Sequence, residues 1–180
     1  MLAVLLAGGT FAQPLRAPAD AAPALDRVVK AVFLFKFIDY VDWPASAFAD
    51  ATSPYVIGVV GADDIARELV QAVAGRRVGD RAIDVRRLRR GDPLAGLHML
   101  FVGAGESAQL PAFVRAAQGL PLLIVTEEPN GLPPGSAINL AVVDGKVRFD
   151  VALESAERAG IRLSSRLLSV ARSVRTGPAS

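Results

Sequence analysis

The run Tyr55-Val56-Ile57-Gly58-Val59-Val60, bounded by Pro54 and Gly61, constrains the fold of this chain more than any other stretch. It is apolar at every position, without alternation, and rich in β-branched residues. A strand of that kind is buried on both faces, as in a parallel sheet covered by helices on each side. The downstream sequence meets that demand. Asp63 or Asp64 is placed to cap a helix through Ala74, with Ile65, Leu69, Val70 and Val73 on one side. Arg81–Leu88 reads as a second, more polar strand and Leu97–Val102 as a third. Ser107–Gln118 reads as a helix with Ser107 as its cap, and Leu122–Thr126 as a fourth strand. Strands alternating with helices imply a parallel α/β sheet.

The pattern then changes. Ile138, Leu140 and Val142 alternate with Asn139 and Ala141, and Val147, Phe149, Val151 and Leu153 alternate with Arg148 and Asp150. Asp144-Gly145 stands between them. That dipeptide between alternating runs predicts a hairpin with a type I′ turn, and hence an antiparallel edge to the sheet. A short helix over Glu154–Ala159, ended by Gly160, and a last helix capped by Ser164 or Ser165 complete the chain. Leu167, Leu168, Ala171 and Val174 are spaced to share one face of that last helix. The fold class expected is therefore α/β: one domain, a mixed and mostly parallel sheet, an antiparallel C-terminal hairpin, and helices on both faces.

Upstream of the first strand, Leu25–Val41 predicts a helix started by Asp26 and stopped at Trp43-Pro44. Its middle is apolar on nearly every face, which implies burial. Its aromatic residues, Phe33, Phe35, Phe37, Tyr40 and Trp43, are either core or an interface, where aromatics concentrate. It is too short and too charged to span a membrane. Residues 1–23 stand apart. Met1–Ala7 is apolar, Thr10 and Ala12 occupy the small-residue positions of an export cleavage site, and Gln13–Pro23 reads as a Pro/Ala-rich linker. The expectation is a signal-peptide remnant, lacking a basic segment whose place lies upstream, then a domain over 24–175 and a tail over 176–180.

Several motifs bear on chemistry. Gly103-Ala104-Gly105-Glu106-Ser107-Ala108 is a G-x-G-x-x-A string between a strand and a helix, the setting of a dinucleotide site, with Glu127 and Glu128 beyond the next strand to hold a ribose. Against it, two strands precede the motif, no second nucleotide-binding half comes after it, and Glu106 puts a negative charge where phosphate would lie. The only histidine, His98, sits inside an apolar strand, where a hydrogen-bonded structural role outweighs catalysis. With one histidine and no cysteine, donors for a transition metal are too few. Asp63, Asp64, Glu127 and Glu128 read as caps and loop charges rather than a Mg²⁺ site. Arg76, Arg77, Arg81, Arg86, Arg87, Arg89 and Arg90 are offset only by Asp80 and Asp84. Without aromatic residues among them, and at a net charge of +2 overall, they read as a solvated edge strand rather than a nucleic-acid surface.

The run Lys30-Ala31-Val32-Phe33-Leu34-Phe35-Lys36-Phe37-Ile38-Asp39-Tyr40-Val41-Asp42-Trp43-Pro44 resembles the opening helix of YfiR-like proteins, which read K-A-A-F-L-Y-N-F, an aliphatic stretch and W-P. Gly58, the Ile138-Asn139-Leu140 and Val147-Arg148-Phe149-Asp150-Val151 strands, and the ending Ala159-Gly160-Ile161-Arg162-Leu163-Ser164-Ser165-Arg166-Leu167-Leu168 resemble the same family over about Ala24–Arg172. Phe35 and Lys36 depart from its usual Tyr and Asn, and Ala152 from its Asn. The disulfides of some members are impossible here. The resemblance implies a non-enzymatic periplasmic regulator without cofactor. It would bind and restrain a membrane signalling protein, a diguanylate cyclase of the YfiN kind or a sensor kinase. An outer-membrane lipoprotein would relieve the restraint, and the output would be less cyclic di-GMP and less biofilm. A homodimer is implied, nucleic acid is not. Expected contact residues are Lys36, Tyr40, Trp43, Asn139, Phe149, Ser165 and Arg166. The alternative is a nucleotide-binding α/β enzyme built on the Gly103–Ala108 turn.

Overall fold

A computed structural model describes residues 21–177. Helix α1 (Ala21–Asp39) leads through a two-residue strand β1 (Val41–Asp42) to β2 (Tyr55–Val60), α2 (Asp63–Val73), β3 (Arg77–Val78) and β4 (Arg81–Arg87). Then come β5 (Met99–Val102), a 3-10 turn (Ala104–Gln109), α3 (Leu110–Ala116), β6 (Leu123–Thr126), and the hairpin strands β7 (Ile138–Val143) and β8 (Lys146–Ala152). The chain ends with α4 (Leu153–Arg158), β9 (Arg162–Leu163), α5 (Ser165–Val170) and β10 (Ser173–Arg175).

One sheet of eight strands runs β10-β8-β7-β6-β5-β2-β4-β3. Its centre, β4-β2-β5-β6-β7, is parallel throughout. The α/β expectation holds, and the uninterrupted β2 run lies in mid-sheet with five of its six residues buried. Residues alternate between two cores. Ile57 and Val59 face α1 and α2. Val56 and Val60 face α3, which contributes Leu110 and Phe113.

The hairpin turns through Asp144 and Gly145 at φ 50° and 68°, the pair of left-handed residues a type I′ turn needs. It is not the sheet edge expected from the sequence, because β10 adds outside β8 in parallel. The antiparallel edge lies at the other end, where β3 pairs with β4. The last helix is also shorter than its spacing predicted. Ala171 is already extended, and Val174 lies in β10, because Asp150 on β8 draws the next residues into the sheet. It accepts hydrogen bonds from Arg172 Nε at 2.8 Å and Ser173 Oγ at 2.6 Å.

Helix α1 begins four residues before Leu25, inside the segment read as linker, so Asp26 lies within the helix rather than at its cap. Pro23 falls in the first turn, where its missing N–H costs nothing. The helix is held by its aromatic side: Phe37 and Phe33 meet Phe149 of β8 edge-on, with ring centroids 5.2 and 5.6 Å apart. It is not buried all round. Leu25, Val28 and Val32 form an outward apolar stripe, 63, 42 and 43% exposed. The readings of residues 1–20, including the export signal, and of 178–180 lie outside the described residues.

Candidate functional site

Two separated stretches of the sequence meet at one end of the molecule. The β1 and β9 strands pair antiparallel, Val41 opposite Leu163 and Asp42 opposite Arg162. The Ser164 N–H extends the pairing, donating to the Tyr40 carbonyl at 2.9 Å. The end of α1 is thereby tied to the start of α5. Ser164 is the residue that caps α5, its Oγ accepting from the Leu167 N–H at 3.3 Å, so Ser165 is released to the surface.

Of the expected contact residues, Tyr40, Ser165 and Arg166 come together here, with Lys36 one helical turn earlier. Ser165 and Arg166 are exposed and Tyr40 is half-buried. Lys36 is exposed, 3.6 Å from Asp39, and lies over the Phe35 ring at 5.1 Å. The other three do not join them. Phe149 is buried under α1. Asn139 is fully buried: its Oδ1 accepts from Thr126 Oγ1 at 2.8 Å and from the Glu128 N–H at 2.7 Å, and its Nδ2 donates to the Glu128 carbonyl at 2.9 Å. Its amide therefore pins the segment leaving β6 and offers nothing to the outside. Trp43 is half-buried in a separate aromatic group, 5.4 Å from Tyr55 and 5.9 Å from His98, and donates from Nε1 to the His98 carbonyl at 3.1 Å.

His98 is structural in its contacts. It is 2% exposed, and Nδ1 accepts the Val56 N–H at 3.1 Å, which fixes the ring proton on Nε2. Nε2 has no hydrogen-bond partner among the described residues. Burial first, and the Arg81 charge second, push its pKa down to about 4, against a smaller opposing effect of the Ala47 backbone.

The glycine-rich turn answers the nucleotide alternative. In doubly wound sheets ligands sit where the strand order reverses, here between the C-terminal ends of β2 and β5. That crevice is closed by the chain itself. The Gly105 N–H donates to the Gly61 carbonyl at 3.2 Å, and a Cβ on Gly103 would lie 2.5 Å from Ala62 Cβ and 2.6 Å from the Gly61 oxygen. The glycines serve backbone-to-backbone packing rather than approach to a pyrophosphate. The Ala104 N–H, at the position a phosphate would take, donates to Glu127 Oε1 at 2.9 Å, and Glu127 Oε2 pairs with Lys30 at 2.6 Å. Glu106 pairs with Arg90 at 2.9 Å. Ser107 lies inside the 3-10 turn instead of capping a helix. No cluster of three metal-binding side chains occurs among the described residues.

Sequence reasoning missed a concavity of about 1250 Å³ between α3, the proline-rich segment after β6, and α4. Val114, Leu120, Pro133, Glu154, Arg158 and Arg175 contribute to its lining, and none of the expected contact residues does. Its only trace in the sequence is the Pro129–Gly135 stretch, which marks a loop but not a groove.

The crevice of this mixed α/β domain is filled by its own backbone, and the two stretches that carry the family resemblance meet through the β1–β9 pairing. Residues 27–172 match the YfiR/HmsC-like family, and the chain belongs to that family. Membership associates it with periplasmic regulation of diguanylate cyclase signalling. No curated protein matches the chain. No helix among the described residues is long and apolar enough to cross a membrane.

Proposed function

We propose that this chain is a non-enzymatic periplasmic regulator that binds the periplasmic part of a membrane signalling protein, a diguanylate cyclase before a sensor kinase, and holds it inactive. The observation that carries this reading is the β1–β9 pairing, which joins the two stretches most characteristic of the family into one accessible surface. Lys36, Tyr40, Ser165 and Arg166 are its contact residues. Trp43, Asn139 and Phe149 are structural in this reading: Trp43 packs with Tyr55 and His98, Asn139 pins the segment leaving β6, and Phe149 holds α1 on β8.

Inhibition of this kind is a population shift: the regulator binds one conformation of the cyclase better than the other. Taking an active population from 99:1 to 1:99 needs about 10⁴-fold preference, or about 5.5 kcal/mol. Four polar side chains do not supply that alone, so the interface extends over neighbouring apolar surface, with a typical size of about 800 Å² per partner. Homodimerisation belongs to the same proposal, the Leu25, Val28 and Val32 stripe being the apolar surface open to it. An outer-membrane lipoprotein that competed for the regulator would relieve the restraint.

The test is crosslinking in the envelope of a bacterial host, pull-down and identification of the captured protein, with cyclic di-GMP measured in parallel. Capture of a membrane cyclase, lost together with the fall in cyclic di-GMP on Arg166→Glu or Tyr40→Ala, is the expected result. A chain found only in the cytoplasm, or variants that capture the cyclase as well as the parent does, would overturn the proposal.

A further inference from the structure

The β4 edge of the sheet is only half covered. Strand β3 pairs with Arg81 and Ala82 and goes no further. The Leu88 N–H points toward β2, donating to the Val59 carbonyl at 2.8 Å. Backbone groups alternate from side to side along a strand, so Val85 and Arg87 direct their N–H and C=O away from β2, past the end of β3. Among the described residues neither finds a strand on that side.

A groove of about 430 Å³ runs beside this edge, between β4 and the end of α2. Val70, Val73, Ile83 and Val85 contribute apolar surface to it, and Arg76 and Arg77, with the single acid Asp84, contribute its charged lining. Val70 is 43% exposed there. Arg76, Arg77, Arg86 and Arg87 are all exposed and have no carboxylate partner among the described residues. Asp80 and Asp84 are the only acids between Arg76 and Arg90. A second copy of this edge would bring arginines against arginines, and like charges on facing strands repel. The same charges attract an acidic strand.

We propose that the β4 edge binds an extended acidic segment of a partner protein as an added strand, its apolar side chains entering the Val70–Val85 groove and the carboxylates on its other face meeting Arg86, while the charges of Arg76, Arg77 and Arg87 beside the groove draw the acidic segment in. Main-chain hydrogen bonds supply affinity in such additions, and the pockets beside them supply selectivity. The site is independent of the α1–α5 surface, so a cyclase that never binds there leaves it untouched.

The probe is a fluorescein-labelled peptide of alternating Glu and Val, titrated by anisotropy against the full chain. Two further peptides carry N-methyl groups on one or the other alternate set of residues. The expected result is saturable binding that survives methylation of one set and is lost with the other. Arg87→Pro, which removes an edge N–H in a strand position that tolerates proline, weakens binding about tenfold beyond Arg87→Ala. The proposal is overturned if both methylated peptides bind as well as the parent, which would reduce the effect to charge. It is equally overturned if no binding occurs up to about 1 mM, the range of the weakest specific affinities. The methylated pair decides the matter even where Arg87→Pro fails to fold.

Discussion

Acid should loosen this fold through His98. In the unfolded chain its imidazole takes a proton near 6.5, whereas in the native protein it does so only near 4. Between those values the unfolded state binds more protons, so stability is fully present above pH 6.5, falls as the pH drops toward 4, and levels off below it. The geometry gives the cause. The proton would have to enter Nδ1, which already accepts the Val56 N–H at 3.1 Å, in a pocket walled by Trp43, Phe48 and Tyr55 and near the Arg81 charge. A lowering from 6.5 to about 4 corresponds to about 3 kcal/mol in the limit, at 1.36 kcal/mol for each unit of pKa. About 2 kcal/mol of it is lost between pH 7 and 4.5, a large share of a domain stability of about 5–15 kcal/mol.

Trp43, the only tryptophan, packs against the His98 ring at 5.9 Å and reports both unfolding and native-state titration. Urea unfolding followed by its fluorescence at pH 7, 5.5 and 4.5 gives the pH slope. Carboxylates titrate in the same range, so the comparison is with His98→Gln, which keeps an acceptor near Val56 without a titrating ring. The difference between parent and variant should change by about 2 kcal/mol, and native-state fluorescence should change with a midpoint near 4. A flat difference, or a parent that gains stability on acidification relative to the variant, would refute the reasoning.

Gly103→Ala should cost about 1–3 kcal/mol by overpacking against the Gly61 backbone, read as a lower melting temperature. Gly58→Ala should cost less, since the atoms its Cβ would meet are leucine methyls, Leu88 at 2.7 Å, Leu97 at 2.9 Å and Leu100 at 3.5 Å, and side-chain ends can shift. Glu127→Ala should destabilise by roughly 2–3 kcal/mol because it strands Lys30 and uncaps Ala104, and Lys30→Met should recover part of that loss in a double-mutant cycle. Ser164→Ala should cost about 1 kcal/mol by removing the α5 cap, read by chemical denaturation. Asp150→Asn should release β10. Burial alone would raise the Asp150 carboxyl, yet the Arg172 and Ser173 hydrogen bonds and the Arg172 charge hold it below its ordinary value. Its contribution is thus present above the usual carboxylate range and lost as pH falls below it, and amide exchange of Ser173–Arg175 should speed up in the variant at neutral pH.

The parts of the fold legible in the sequence are those whose energy is local. β2 could be read because one face does not differ from the other. α2 could be read because Ile65, Leu69 and Val73 recur at helical spacing, and the hairpin turn because only left-handed residues make it. What escaped depends on partners distant in the chain. The spacing Leu167, Leu168, Ala171, Val174 is good helical spacing, but Asp150 outcompetes it for Arg172 and Ser173. Ser107 is a sound cap by type, but Glu127 reaches the Ala104 N–H first, and the signal for the true start of α3 was Pro111 in its first turn. The β1–β9 pairing, two residues on each side, has no period to detect. Asn139 and Phe149 belong to the family pattern, and nothing in a single sequence separates a residue that shapes a surface from one that forms it.

Several residues shape the surface without forming it. The Glu127 carboxylate and the Gly61–Gly105 contact close the crevice where a related sheet would hold a small ligand, and Lys30 of α1 neutralises the charge that does so. The N-terminal helix is thereby locked to the C-terminal ends of the strands. Phe33 and Phe37 lock the same helix to β8, and β1–β9 locks its end to α5. A helix fastened at three places by unrelated interactions presents its outer surface in one fixed pose. Under the proposed function, where one conformation of a partner must be favoured by several kcal/mol, a surface fixed in this way is an advantage, because little ordering cost is subtracted from the binding energy.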